Sequence, residues 1–136
     1  MTETLAQKME KAEAGDVHAM YEVARAYRDG YGGGDPAAEL KWIMRAGDNG
    51  HPEALIDLAF RYAFGNGVPA SAEKEWDCYE KIIAGECDGF PGTEYTLGAA
   101  KLGLATKIFD QKKSADYPRA AQLLREAVEL HAYKYA

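Results

Sequence analysis

The sequence predicts an all-α protein, an α–α solenoid of about three stacked helix pairs, and three observations carry that prediction. The first is an internal echo. GDVHAMYEVARAYRDGYG from Gly15 is answered by GHPEALIDLAFRYAFGNG from Gly50, an offset of 35 residues. Gly15/Gly50, Ala19/Ala54, Ala24/Ala59, Tyr27/Tyr62, Gly30/Gly65 and Gly32/Gly67 coincide at that offset. A fixed period of this size is the mark of stacked repeats. The second is local. Helix start and stop signals recur along the chain, while sustained period-two alternation and hairpin dipeptides between β-rich runs are missing. The third is composition. At 47% hydrophobic and 28% charged over 136 residues, the chain has enough apolar side chains for one continuous core and is too apolar for disorder.

The elements follow in order. An opening helix is expected at 3–14, started by Thr2 and stopped by Gly15. A second spans 17–29 and stops at Gly30. A third spans 36–47, with Asp35 as N-cap and Pro36 in the first turn, where its missing N–H does no harm. A fourth spans 52–64 between Pro52 and Gly65, and a fifth spans 70–84 and closes at Gly85. ECDGFPG then reads as a turn. A sixth spans 93–108, FDQKKSAD is a loop, and a seventh spans 117–133 behind Asp116. Short loops make these helices antiparallel neighbours. Ala19, Ala24, Ala54 and Ala59 are small where helix axes must approach within about 8–10 Å. Tyr27, Tyr62, Trp42 and Trp76 supply bulk, and Leu55, Leu58, Ala59 and Tyr62 fill one stripe of the fourth helix. The chain divides into a capping helix (1–14), repeat 1 (15–49), repeat 2 (50–85) and a degenerate repeat 3 (86–136).

Charge and cysteine content narrow the function classes. The net charge of −6 disfavours nucleic acid and anionic membrane surfaces as partners, and suits solubility or a basic partner. No run approaches the roughly 20 apolar residues of a membrane span, and the first residues lack the layout of a signal peptide. A cytoplasmic location is expected. Cys78 and Cys87 stand nine residues apart. On an unbroken helix that is about 900° of turn and roughly 13 Å of rise, too far to bridge. Gly85 interrupts the helix, so a bridge stays open, with reduced thiols as the cytoplasmic default.

Gly15, Ala19, Val23, Ala24, Tyr27, Gly30, Gly32, Asp35, Trp42, Arg45 and Ala46 form one pattern. Gly50, Ala54, Leu58, Ala59, Tyr62, Gly65, Gly67, Val68, Pro69, Trp76 and Lys81 repeat it. Tyr95, Leu97, Gly98, Asp116, Tyr117, Arg125, Ala127 and Val128 give a weaker third copy, which lacks the Gly-x-Gly loop and carries Lys112 and Lys113 instead. The chain resembles the Sel1-like repeat family, a relative of the tetratricopeptide repeat. The resemblance implies a right-handed superhelix whose concave face is lined by the first helix of each pair. It aligns Tyr21, Ile56 and Tyr95 as one bulky position, and implies that the opening helix is the second half of a truncated repeat.

Catalytic and metal patterns are tested next. Gly30–Gly34 lacks the Lys-Ser/Thr of a phosphate loop and follows a helix, so it reads as a turn with glycine at positive φ. His18, His51 and His131 show no ligand spacing, and there is no C-x-x-C. Ser71 and Ser114 lie outside any nucleophile elbow. No cofactor, metal or catalytic residue is predicted. The inner face is more informative. It is expected to carry Tyr21, Arg25 and Arg28 from repeat 1, Ile56, Phe60 and Phe64 from repeat 2, and Tyr95 and Leu102 from repeat 3. Ile56, Phe60 and Phe64 recur at four-residue spacing as one helical stripe. Arg25 stands where Phe60 does, and Asp29 where Phe64 does, so the copies differ where a partner would be read. Arginine beside aromatics is typical of binding hot spots.

The expected function is non-catalytic protein binding, with a peptide, helix or loop of another, possibly basic, protein in the groove. An adaptor, an inhibitor and an immunity protein all fit this size and charge. Two alternatives come from other classes. Secreted relatives with paired cysteines have been linked to β-lactam binding or hydrolysis, although this chain lacks those pairs. The aromatic HAYKYA end also leaves room for a self-associating module or homodimer.

Overall fold

The protein, in a computed structural model, is described over residues 3–85, 93–112 and 114–135. These residues form seven α-helices and no strand. The helices are α1 (Leu5–Glu13), α2 (Val17–Arg28), α3 (Pro36–Asp48), α4 (Pro52–Phe64), α5 (Ala72–Ile83), α6 (Thr93–Asp110) and α7 (Tyr117–Tyr135). Each packs on the next in the chain, and α4 also packs on α6. That is the pattern of a solenoid, in which a helix pair buries its apolar side against its neighbour.

The helix starts are fixed by side-chain caps. Asp16, Asp35 and Ser71 accept the backbone N–H of Ala19, Ala38 and Lys74 at 3.0, 3.1 and 3.1 Å. Ser71 therefore moves the start of α5 to Ala72, two residues beyond the expected one. The start of α1 also differs from expectation. Thr4, rather than Thr2, is its cap, and Thr4 and Gln7 bond each other's backbone N–H in a capping box. His51 caps α4 through Nδ1, which lies 3.4 Å from the Ala54 N–H. At the other end of α4, Gly65 takes φ +69° and closes the helix in the left-handed conformation that a side chain would resist. The turn expected at ECDGFPG, including Cys87, lies outside the described residues.

The core is the predicted one in repeats 1 and 2. Ala19, Ala24, Ala54 and Ala59 are buried, as are Leu55, Leu58 and Trp42. Repeat 3 differs from expectation in register. In α6 the buried residues are Thr96, Ala100, Leu104, Ala105 and Ile108. Ala100, Leu104 and Ala105 reproduce Ala54, Leu58 and Ala59 at an offset of 46, and at the same offset the last residue of α6, Asp110, matches the last of α4, Phe64. The expected register set Leu97 and Gly98 against Leu58 and Ala59, an offset of 39. The two registers differ by seven residues, which is within about 20° of two full helical turns. Periodicity alone cannot separate them. The position of Tyr21 and Ile56 is filled in α6 by Leu102, and Tyr95 lies on the added N-terminal turns.

Those added turns contain Gly98 in mid-helix. Among the described residues, a Cβ built there would meet Leu130 alone, at 3.8 Å. Gly98→Ala is therefore expected to stabilise the chain by about 0.5–1 kcal/mol, through helix propensity alone. Equilibrium urea unfolding checks the sign.

Candidate functional site

Helices α2, α4 and α6 form one row, and the candidate residues are distributed along it. The exposed large apolar side chains of α4 are Phe60 (54% accessible) and Phe64 (81%). From α6, Tyr95 (58%) and Leu102 (53%) are also exposed. Ile56 is half-buried against the core. Arg25 is exposed. Tyr21 is not an open groove residue. It is buried and its ring stacks on His51, with centroids 4.5 Å apart. Burial and a hydrogen bond to Glu53 push its hydroxyl up to about 12.

The role expected of Arg28 as a rim cation is also altered by its surroundings. Arg28 donates through Nε to Glu39 Oε2 at 2.6 Å and through a terminal nitrogen to Asp57. Arg61 pairs with the same two carboxylates, through Nε to Asp57 Oδ1 at 2.5 Å and through Nη2 to Glu39 Oε2 at 3.2 Å. Two guanidiniums and two carboxylates close a ring that ties α2, α3 and α4 together. Burial alone would lower the Arg28 guanidinium, but Glu39 and Asp57 reverse this and hold it above its ordinary value. The ring floors an open cleft of about 370 Å³, rimmed by Phe60, Phe64 and Asn66. The floor is therefore neutral, and the apolar rim is what a visiting molecule meets first.

The ring was not read from the sequence, although a signal was present. Asp57 and Arg61 are spaced i, i+4 on one helix face, the spacing that brings opposite charges together. The imidazole pair His18–His51 was missed as well. His51 Nε2 lies 3.1 Å from His18 Nδ1, and His51 is 1% accessible. Its place at the N-cap, aligned with Asp16 one repeat earlier, was the available signal.

Cys78 is buried, and burial pushes its thiol up to about 11, so it is not a thiolate at neutral pH. Among the described residues, no group of three or more His, Cys, Asp or Glu is arranged to hold a metal ion. No helix of the described residues is long and apolar enough to cross a membrane.

No protein-family model matches the chain, and no curated protein matches it. Among solved structures, it is similar to a Sel1 repeat protein from Oxalobacter formigenes, with a TM-score of 0.71 and 19% identity. The match covers 93% of this chain and 48% of that one, so the chain spans about half the length of the protein it resembles. At this identity the likeness establishes the fold: the chain is an all-α solenoid of the Sel1 repeat type.

Proposed function

We propose that this chain is a non-catalytic protein-binding module, and that the α4 row takes an apolar segment of another protein across Phe60 and Phe64. One observation carries the reading. Two phenylalanines, one of them four-fifths exposed, stand side by side on a helix whose core stripe of Ala54, Leu55, Leu58 and Ala59 is already buried. Isolated exposed apolar residues are ordinary, but adjacent aromatics beside a cleft mark an interaction site. The neutral floor favours apolar anchors over a charged tip. The net charge of −6 favours basic residues flanking those anchors. Leu102 and Tyr95 extend the contact along α6, with Arg25 at the opposite edge on α2. Repeat solenoids commonly present such a face to partner proteins. An adaptor, inhibitor or immunity role fits a module of this size, in a reducing cytoplasmic compartment where Cys78 stays a thiol.

The test pairs affinity capture with a variant that keeps the fold. Phe60→Ala/Phe64→Ala is expected to leave the unfolding midpoint nearly unchanged, because both rings are exposed. Proteins retained by the wild type through this face should bind the double variant about 30-fold or more weakly, at least the loss of one hot-spot residue. If each captured protein binds both forms equally, the α4 row is not the docking face. If instead the wild type doubles in mass at high concentration and the double variant does not, the occupant is a second copy of this chain, and the heterologous reading is overturned.

A further inference from the structure

The first two repeats also meet at a pair of imidazoles whose hydrogen bonds leave no place for an extra proton. His51 accepts the Ala54 N–H at Nδ1, so its neutral ring carries its proton on Nε2. That proton points at His18 Nδ1, 3.1 Å away, across nearly parallel rings. His18 must then carry its own proton on Nε2, which faces Glu22 Oε1 at 3.6 Å. The result is a directed chain from the first turn of α4 to the surface of α2. We infer that the His18–His51 pair is a proton-sensitive joint between repeats 1 and 2, which acid loosens by charging the pair and uncapping α4.

Either proton breaks the same connection. A proton added to His51 must go on Nδ1, where it faces the Ala54 N–H, and the cap is lost. A proton added to His18 must go on Nδ1, where it faces the Nε2–H of His51. The pair then separates, or His51 changes tautomer and again loses the cap. His18 is about half exposed and has room to swing outward. The Arg28–Asp57 pair also crosses the seam, and α3 packs on α4. Helices α2 and α4 approach each other less closely than α4 and α6 do, and long side chains bridge them.

Other groups of the described residues face the pair. From α4, Glu53 favours a charged imidazole, but it also accepts from Tyr21. From α2, Glu22 faces His18 rather than His51, and it is paired with Lys8 of α1 at 3.1 Å. From α3, the contribution is a main-chain carbonyl, with Ala46 O accepting the His51 N–H at 3.0 Å. Burial first, and the neighbouring His18 second, push His51 down to about 4.

The direction of the effect follows. A folded-state pKa below the unfolded value of 6.5 gives stability that is fully present above pH 6.5 and is lost as pH falls toward 4. Across the whole window the folded-to-unfolded ratio is expected to fall about 300-fold from this group alone. The same helix carries Phe60 and Phe64, but the inference stands whether or not they bind a partner.

His51→Asn tests the joint, because asparagine keeps an N-cap acceptor and does not titrate. Urea unfolding is measured for both proteins at pH 7.5 and 4.5, which cancels the shared contribution of the carboxylates. The wild-type ratio is expected to fall about 70-fold more than that of the variant. Equal falls would overturn the inference. Should the variant not fold, the imidazole proton resonances of the wild type decide the matter. His51 is expected to titrate well below 6.5, and a His51 midpoint near 6.5 in the folded protein would remove the joint.

Discussion

Lys107→Met is expected to cost about 3 kcal/mol of stability. Lys107 reaches from α6 to Glu75 on α5, with Nζ 2.7 Å from Oε1. Glu75 is buried, and its other oxygen, Oε2, accepts from the Tyr79 hydroxyl at 3.0 Å. Oε1 receives no hydrogen bond from another group among the described residues, so Lys107 is its counter-charge there. Removing one partner of a buried pair leaves an uncompensated charge, which costs about 3–5 kcal/mol. Lys107 is partly open to solvent, which places the expectation at the lower end. The effect is specific to charge and not to volume, since methionine retains most of the aliphatic stem. Adding Glu75→Gln to Lys107→Met should therefore recover most of the loss, because the amide keeps an acceptor for Tyr79 and has no charge to strand. Guanidinium unfolding of the two single variants and the double gives the coupling directly. Additive losses would mean that the ion pair does not hold this joint.

The same joint shows where the sequence was readable and where it was not. The repeat echo identified α2, α3, α4 and α5 because their capping residues and alanines are spaced by chemistry that a single residue states openly. Asp35 with Pro36, or Gly65 after Phe64, admits one local structure. The first helix of the third repeat has no such punctuation, since the Gly-x-Gly loop is absent after it and the helix is longer. Only apolar spacing remained, and apolar spacing repeats nearly unchanged after seven residues. The added turns of α6 thus stood in for the true core turns, and Tyr95 was aligned where Leu102 belongs. Helix ends and burial remove the ambiguity because they are absolute positions rather than phases.

The candidate site was legible to a different degree. That Phe60 and Phe64 lie on one stripe followed from four-residue spacing, but their exposure did not, because a stripe does not say whether another element covers it. The resemblance to related repeats places Tyr21 and Arg28 on the groove face. Each is drawn into contacts 29 or more residues away, Tyr21 with His51 and Arg28 with Asp57. Such contacts arise only after repeats stack, so a reading of one helix at a time cannot anticipate them. The mismatched pairs Arg25/Phe60 and Asp29/Phe64 stay informative, because they lie outside the ring and the imidazole pair that hold the scaffold.

Gly103→Ala is the second large effect expected, a loss of about 1–2 kcal/mol from a single methyl group. Gly103 lies inside α6 with ordinary helical backbone, so conformational freedom is not the reason for glycine there. The reason is space. A Cβ would stand 2.5 Å from Cζ of Tyr79 and 2.8 Å from its Cε1. The ring is buried, and its hydroxyl is tied to Glu75, so it cannot rotate away without giving up that bond. Overpacking of this kind costs about 1–3 kcal/mol, and the better helix propensity of alanine returns up to about 1. Gly47→Ala is the matched control. Its Cβ would also be close to a neighbour, 2.6 Å from Leu58 Cδ1, but that atom is the free end of a flexible side chain. It should cost clearly less. Relief of the clash by Tyr79→Leu should make the Gly103→Ala change nearly neutral in that background. Equal stability of Gly103→Ala and wild type would show that α5 and α6 separate at no cost. Leu102 is the next residue on α6, so a displaced helix would also move the apolar row along which the partner is proposed to lie. Partner affinity should then fall in Gly103→Ala while remaining intact in Gly98→Ala, about one and a half turns of helix away from the methyl's clash.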